Sequence, residues 1–316
     1  MIEKLKKNLI ISLLITAIVF FVIAVYVDFN SVIDSFKKFN WLILPVLLFL
    51  SLGNYLVRFF KWEYYLNLLE IKVPFKQSLK IFFSGLSMSA SPGKMGEVIK
   101  SFLLKELHNE PISKTASIIF TERLTDFLSL AFLTIIGLYF FNYSAIWVYF
   151  VLIFFVILII IISNRKLAGF FINGVNKSAF IRSHSSKIIN LYESANKLLQ
   201  PQPLFKMLAI STFSWFFECF AFYLILINFD QNVTILFPMF VYALSTIAGA
   251  VSMLPSGLGV TEGSLSLLLI SSNISKEIAV AATLIIRVAT LWFAVFLGSA
   301  VLFFFKSQYK NSLINK

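Results

Sequence analysis

Long apolar runs separated by short polar segments dominate the chain, and six of them are long enough to cross a membrane. A transmembrane helix needs about 20 consecutive, mainly apolar residues. The first run follows a basic head and is longer than the apolar region of a cleaved signal peptide, so we expect it to remain as a span. The six predicted spans are residues 9–27, 41–60, 118–141, 145–163, 207–227 and 279–305.

Two further apolar stretches, residues 77–107 and 235–272, are interrupted near the middle. Each has an apolar arm, a tip with a proline, two glycines and a glutamate, and a second arm too short to span. Irregular backbone at membrane depth is tolerated only where protein or a watery cavity surrounds it. We therefore predict two re-entrant hairpins and an all-α polytopic membrane protein with eight hydrophobic segments.

The composition favours a single integral membrane domain over residues 1–316, because 59% of the chain is hydrophobic and only 13% is charged. An ordinary globular domain is about a quarter charged. Cys219 is the only cysteine, so no internal disulfide is expected. The sequence also lacks a metal-spaced histidine and cysteine set, a phosphate-binding loop and a nucleotide fingerprint. We expect neither a metal nor a cofactor.

The net charge of +12 indicates membrane orientation, since nucleic-acid binding would require basic patches with aromatic stacking platforms. Cytoplasmic loops carry an excess of lysine and arginine. The polar segment 164–206 has seven basic residues against one acid, Glu193, so we predict that it is cytoplasmic, together with both termini. We expect the protein in the cytoplasmic, or inner, membrane, and this topology places Lys37 and Lys38 outside.

The two interrupted stretches share a motif, which reads SMSASPGKMGE at residues 87–97 and SMLPSGLGVTE at residues 252–262. We predict a repeat of residues 41–141 and 207–305, and the charge-derived topology gives its copies opposite orientations. Inverted repeats with interrupted helices are typical of transporters whose substrate site lies near the bilayer midplane. The matching pairs, 163, 165 and 164 residues apart, are Pro92 and Pro255, Glu97 and Glu262, and Arg123 and Arg287.

Ionisable side chains inside membrane segments are costly and are functional candidates by default. Glu122 and Asp126 are four residues apart and share one helix face. The helix after the first tip presents N–H groups that attract anions, and arginine can hold a phosphate through two hydrogen bonds. A structural alternative is that glutamates and arginines pair with one another and hold the halves together. The candidates are Arg58, Glu97, Glu122, Arg123, Asp126, Glu218, Glu262 and Arg287.

Two of these candidates have simpler interpretations. Arg58 lies at a span end with Lys61, Trp62 and two tyrosines, where snorkelling beside an aromatic belt accounts for it. Glu218 has no obvious partner nearby in the sequence, and both a proton site and a polar neighbour stay open as explanations.

Three motifs in this order, SPGKMGEVIKSFLL, TERLTDFLSL and LPSGLGVTEGSLSLLL, resemble those of the lysylphosphatidylglycerol synthase transmembrane family, which is also described as flippase-like. The likeness covers nearly the whole chain. Lysine stands at positions 94 and 100, where arginine is expected to be common in the family. The resemblance carries a substrate-binding role onto Pro92, Gly93, Gly96, Glu97, Lys100, Glu122, Arg123, Asp126, Pro255, Gly257, Gly259 and Glu262, and the charge argument adds Lys94 and Arg287.

The resemblance implies movement of lipids between leaflets, such as aminoacylated phosphatidylglycerol or lipids linked to polyprenyl phosphate. We expect a flippase-like transporter of an anionic or aminoacylated lipid, with Glu97 or Glu262 exchanging protons. The chain ends shortly after its last span, so synthesis of the aminoacyl lipid by a following soluble domain is not expected. The alternatives are a membrane-embedded lipid-modifying transferase and a non-transporting accessory protein. Membrane lipids are the expected partners, and oligomer formation is left open.

Overall fold

The computed structural model describes residues 29–91, 95–141, 146–166 and 185–314, and this part of the chain is all-helical. The predicted first span, residues 9–27, lies outside the described residues. The helices in the described part are α1 (Phe29–Lys38), α2 (Leu44–Leu68), α3 (Phe75–Leu86), α4 (Ile99–His108), α5 (Ile112–Phe141), α6 (Ile146–Ser163), α7 (Ser185–Leu198), α8 (Pro201–Asn228), α9 (Leu236–Val251), α10 (Val260–Ser271), α11 (Lys276–Arg287) and α12 (Phe293–Ile314).

Within the described residues, five helical segments are long and apolar enough to cross a membrane, and they coincide with five of the six predicted spans. The span at α8 starts earlier than predicted, because Pro201 and Pro203 stand in its first turn, where a backbone N–H has no helical partner to lose. The last segment joins α11 to α12 through a π-helical turn, Val288–Trp292. The five segments are Trp41–Leu68, Ile112–Phe141, Ile146–Ser163, Pro201–Asn228 and Lys276–Phe305.

The two interrupted stretches form pairs of short helices, α3 with α4 and α9 with α10. Their 12, 10, 16 and 12 residues give lengths of about 18, 15, 24 and 18 Å, less than the roughly 30 Å of bilayer hydrocarbon. None of these four helices is long enough to cross the membrane alone. Positive φ angles turn the chain at the second tip, at Met253, Ser256, Gly257 and Gly259.

The helix ends of the first half recur in the second half. Helices α2 and α8 are each followed by a left-handed residue, Glu70 and Asp230, which are 160 residues apart. In both cases the next N–H group donates back into the last helical turn, at 2.9 and 3.0 Å. Asn109 and Asn273 end α4 and α10 in the same left-handed conformation and are 164 residues apart. The helices of the two halves therefore follow the same order.

Helices α2 and α8 are antiparallel neighbours. The backbone N–H of Asn40, just before α2, donates to the Asn228 side chain at the end of α8, at 2.9 Å. Near the middle of both helices, the Asn54 amide donates to the Ser214 carbonyl and hydroxyl oxygens at 2.8 and 3.0 Å. These contacts place the start of one helix beside the end of the other, so the matching helices run in opposite directions.

The first short helix of each interrupted stretch packs against a long helix from the other half of the chain. Helix α9 lies against α5, and α3 lies against α12. Glycines allow both approaches, since a Cβ atom at Gly137 would lie 2.3 Å from the Phe240 side chain. A Cβ atom at Gly298 would lie 2.2 Å from the backbone nitrogen of Ser87. The hydrophobic cores are consequently shared between the halves.

The described part of the basic segment 164–206 is residues 164–166 and 185–206, which include α7 and the first turns of α8. The Asn196 side chain donates to the carbonyl oxygens of Ile162 and Ser163 at the end of α6, at 2.8 and 3.0 Å. Lys197 donates to the Glu70 carboxylate at 2.8 Å, and this hydrogen bond lowers the pKa of Glu70. These hydrogen bonds hold α7 against the ends of α6 and α2.

Substitution of Gly298 by alanine is expected to lower the free energy of unfolding by about 1–3 kcal/mol, because the new methyl group would overlap backbone atoms that cannot rotate away. Gly263→Ala is the matched control, since a Cβ atom there has nothing within 4 Å. That control should be neutral or stabilising by up to about 1 kcal/mol. Thermal unfolding of both purified variants in detergent measures the difference, and equal midpoints would contradict the packing described here.

Candidate functional site

The two Pro/Gly tips touch each other. The Ser256 hydroxyl donates to the Ser89 carbonyl oxygen at 2.6 Å. The Ser256 N–H donates to the Ser91 carbonyl oxygen at 3.3 Å. Ser256 adopts a left-handed conformation, with φ 52°, which turns its N–H and hydroxyl toward the first tip. The two copies of the motif therefore meet within the helical body.

A network of buried charges begins directly after the first tip. Glu97 lies in a short 3₁₀ turn, Met95–Val98, and accepts a hydrogen bond from Arg123 of α5 at 3.2 Å. Lys100 of α4 donates to Glu122 at 2.6 Å and lies 3.5 Å from Glu97. Glu97, Lys100 and Glu122 are each at most 2% exposed. This set of ion pairs connects the tip to α4 and α5.

The position of Lys100 depends on the glycine at position 85, which has no side chain. A Cβ atom at Gly85 would lie 2.6 Å from Cγ of Lys100, so only glycine leaves room for the lysine stem. The ammonium group then lies 4.6 Å from the centre of the Trp62 ring and 5.1 Å from that of Phe82. Aromatic faces attract cations, and this attraction is stronger away from water. Lys100 is thus held by two rings and two carboxylates.

The network extends onto α2 and α8 through Asp126. Arg58 donates to one Asp126 oxygen at 3.1 Å. Lys61 donates to the other oxygen at 2.8 Å and to the Ser211 hydroxyl at 2.5 Å. Arg58 is 7% exposed and Lys61 is 1% exposed. The snorkelling interpretation of Arg58 and Lys61 is therefore wrong, because their charged ends point into the protein and pair with a carboxylate.

The second tip has its own, smaller charge pair. Arg287 of α11 donates through Nε to Glu262 at 2.6 Å and through a terminal nitrogen to the Ser256 carbonyl at 3.1 Å. The Gly259 N–H donates to the other Glu262 oxygen at 2.7 Å. Gly257 has φ 65°, and a Cβ atom there would lie 2.6 Å from Cα of Gly249, so this turn requires glycine. Glu262 is fully buried.

The structure brings most of the predicted site residues together in these two clusters. Pro92, Gly93 and Lys94 lie outside the described residues. The N–H of Gly96 donates to the Ser91 hydroxyl oxygen at 2.6 Å. The Pro255 carbonyl oxygen accepts a backbone hydrogen bond within the turn of the second tip. The predicted glutamate and arginine pairs form within each half, as Glu97 with Arg123 and Glu262 with Arg287, while hydrogen bonds from Ser256 join the tips.

The sequence interpretation missed the part played by Arg58, Lys61 and Ser211. Arg58 and Lys61 are three residues apart, and this spacing places both on one helix face. That spacing was a usable signal of a shared polar partner. Ser211 carried no such signal, because its role depends on the antiparallel approach of α8 to α2.

The first cluster holds an excess of positive charge. It has four cations, Arg58, Lys61, Lys100 and Arg123, and three carboxylates, Glu97, Glu122 and Asp126. Arg123 is the most exposed member, with 20% of its side chain accessible. Its Nε atom is buried without a hydrogen-bond partner. A positively charged group with a free donor, at the partly open edge of a buried cluster, is suited to binding an anion.

Replacement of Lys100 by methionine is expected to lower the free energy of unfolding by about 3–5 kcal/mol, because it leaves Glu122 and Glu97 as partly uncompensated buried charges. Lys114→Met is the matched control, since Lys114 pairs with Glu110 on a partly exposed helix face at 3.2 Å. The control should cost less than about 1 kcal/mol. Denaturation in detergent distinguishes the two variants, and a small effect at both positions would contradict a tightly coupled cluster.

Comparisons with known proteins identify relatives that are described as membrane proteins. The chain is similar to a UPF0104 membrane protein of Methanocaldococcus jannaschii, with 30% identity over 68% of this chain and 92% of the relative. A UPF0104 membrane protein of Methanothermobacter thermautotrophicus is 23% identical over 74% of this chain and 75% of the relative. A second one from Methanocaldococcus jannaschii is 22% identical over 96% of this chain and 97% of its own length.

The family model described as the lysylphosphatidylglycerol synthase TM region matches residues 9–298. This match covers both tips, both charge clusters and all but the end of the last span. The protein therefore belongs to the lysylphosphatidylglycerol synthase transmembrane family.

Proposed function

We propose that this membrane protein is a flippase-like transporter that moves a lipid with a phosphate headgroup between the leaflets of the cytoplasmic membrane. The lipid class is an anionic or aminoacylated phospholipid or a polyprenyl-phosphate-linked lipid. One observation carries the proposal: a buried cluster with excess positive charge lies beside the touching tips and ends in Arg123, whose Nε lacks a partner. A phosphate oxygen is the acceptor that this nitrogen needs.

The transport mechanism rests on an inverted repeat with two re-entrant hairpins. Matched helix ends at spacings of 160 and 164 residues support the repeat. The antiparallel contact of α2 with α8 supports its inversion. The four hairpin arms are too short to cross singly, which supports re-entry. In transporters of this design, rocking of one repeat against the other exposes a fixed central site to each side in turn.

The headgroup would bind where α4 and α5 meet the first tip. Arg123 would present Nε and a terminal nitrogen to two phosphate oxygens, a geometry that lysine cannot reproduce. The other three cations of the cluster would attract the phosphate electrostatically, because charge interactions are strong in a medium of low polarity. Glu97 and Asp126 hold the guanidinium in place through one terminal nitrogen, at 3.2 and 3.4 Å.

The orientation of the protein in the membrane follows from its basic residues. Excess lysine and arginine in segment 164–206 supports a cytoplasmic position for that segment and for both termini. The first hairpin then enters from the cytoplasmic side, because Lys76 and Lys80 lie at its start and Lys105 lies near its end. The second hairpin, whose flanks carry few basic residues, enters from the outer side.

A membrane-embedded transferase is the competing function, since carboxylates near a tip can act as general bases. In the described residues, Glu97, Glu122 and Glu262 are all engaged with cations, which disfavours a free base at either tip. A transferase would form product in detergent solution without a sealed compartment, whereas a transporter needs two compartments. An accessory protein would tolerate neutralisation of all the buried acids without loss of cellular phenotype.

Arg123→Gln is expected to slow the transfer of a fluorescent phosphatidylglycerol between leaflets of proteoliposomes by about tenfold to a hundredfold. A hydrogen bond to a charged group contributes about 1.5–3 kcal/mol, and about 1.4 kcal/mol corresponds to a factor of ten. The rate is measured by quenching of outer-leaflet fluorescence with a membrane-impermeant reductant.

Two variants serve as controls for this experiment. Arg123→Lys keeps the positive charge but cannot donate two parallel hydrogen bonds to a phosphate, so an intermediate transfer rate is expected. Lys114→Gln removes a cation at the partly exposed start of α5 and should transfer lipid at the wild-type rate. Equal rates in wild type and Arg123→Gln, with both variants folded, would rule out Arg123 as the headgroup site.

A further inference from the structure

Glu218 is the one buried carboxylate in the described part of the chain that has no cationic partner within salt-bridge distance. It lies in the middle of α8 and is 6% exposed. Its hydrogen-bond donor is the Tyr242 hydroxyl of α9, at 2.6 Å. An ionised carboxylate removed from water is costly unless an opposite charge balances it. Glu218 is therefore a different kind of group from the ion-paired acids of the two clusters.

The titratable groups on the helices packed against Glu218 are already engaged. On α2, the Tyr55 hydroxyl donates to the Thr290 carbonyl at 2.6 Å, and Arg58 is bound to Asp126. On α5, Glu122, Arg123 and Asp126 belong to the first cluster. On α11, Arg287 is bound to Glu262. The neighbouring Cys219 of α8 is buried, with its sulfur directed to the Met239 carbonyl.

Glu218 also has a special place in the repeat. It lies 160 residues after Arg58, the same spacing that relates the helix ends at Glu70 and Asp230. The two halves thus carry opposite charges at equivalent positions of α2 and α8. Arg58 has a counter-ion in its own half, while Glu218 has only a tyrosine hydroxyl.

Glu218 decides the balance of buried charge within the described part of the chain. With Glu218 ionised, the five cations of the described clusters, Arg58, Lys61, Lys100, Arg123 and Arg287, equal in number the five buried carboxylates, Glu97, Glu122, Asp126, Glu218 and Glu262. A bound headgroup with one negative charge would make this balance negative. Protonation of Glu218 would restore neutrality, and it breaks no ion pair, whereas protonation of Glu97 or Glu262 would weaken a contact to an arginine.

We propose that Glu218 is a proton-binding site that takes up one proton when an anionic lipid headgroup occupies the first cluster. This inference rests on the proposed lipid-binding function. The proton comes from solvent and adds to a carboxylate oxygen, which becomes a neutral carboxylic acid. Tyr242 serves both states, because its hydroxyl donates to the carboxylate and can accept from the acid. Lipid and proton then move as a neutral combination.

The test is proton uptake during lipid binding to the purified full-length protein. Short-chain phosphatidylglycerol is added to protein in weakly buffered detergent solution at neutral pH, and a pH indicator reports protons while calorimetry reports binding. Wild type should take up about one proton per bound lipid, and its affinity should rise by up to about tenfold for each unit that the pH falls. Glu218→Gln should bind the lipid with no proton uptake and with an affinity independent of pH.

Two further variants make the result specific. Glu106→Gln removes an exposed carboxylate of α4 and should behave as wild type. Tyr242→Phe removes the hydroxyl that positions Glu218 and should change the pH at which uptake occurs while leaving binding intact. Thermal unfolding of each variant, measured in the same detergent, identifies any that is not folded.

The outcomes separate this inference from the proposed function. Binding with equal proton uptake in wild type and Glu218→Gln would overturn the role of Glu218 and leave lipid binding standing. Binding without uptake in wild type would overturn the coupling itself. Absence of phosphatidylglycerol binding at any pH, with folded protein, would overturn binding of this lipid at the first cluster and the coupling with it.

Discussion

The need to balance buried charge within an apolar body governs the structure of this protein. Ionised groups in a medium of low polarity are tolerated when opposite charges and hydrogen bonds surround them. The first cluster meets this condition by drawing on five elements: α2, the turn at Glu97, α4, α5 and, through Ser211, α8. The interruption between α3 and α4 accompanies this arrangement, since Glu97 in the 3₁₀ turn and Lys100 in α4 both pair with residues of α5. The close approaches at Gly85 and Gly298 serve the same arrangement.

Much of this architecture can be predicted from the sequence, because bilayer thickness fixes helix length and the charge motifs are short and local. The five long apolar helices of the described residues and the interruption of the two shorter apolar stretches follow from that reasoning. What cannot be predicted depends on contacts distant in sequence. Arg58 and Lys61 look like snorkelling residues until Asp126 and Ser211 are placed against them by α5 and α8. The packing of α3 against α12 likewise depends on the absence of a side chain at Gly298, which has no local signature.

The two halves share an order of helices but differ in charge. The first half contains seven members of a connected network, while the second contains the pair Glu262 and Arg287. They also differ in backbone, since α5 continues as a regular helix after Arg123, whereas a π-helical turn, Val288–Trp292, follows Arg287. Such turns leave carbonyl groups without their usual helical partner and are frequent at functional sites. Here the Tyr55 hydroxyl donates to the Thr290 carbonyl, so the first half stabilises the irregular turn of the second.

This asymmetry is also present at the contact between the halves. The contact of Asn54 with Ser214 lies where the antiparallel helices α2 and α8 cross, and Glu218 is one helical turn beyond Ser214. Arg58 occupies the equivalent place, one turn beyond Asn54. The crossing is therefore flanked by a fixed cation on one side and by a carboxylate on the other. Because the cation is held by Asp126 and the carboxylate only by Tyr242, a change of charge at this interface can arise at Glu218 without dismantling the network that would hold the headgroup.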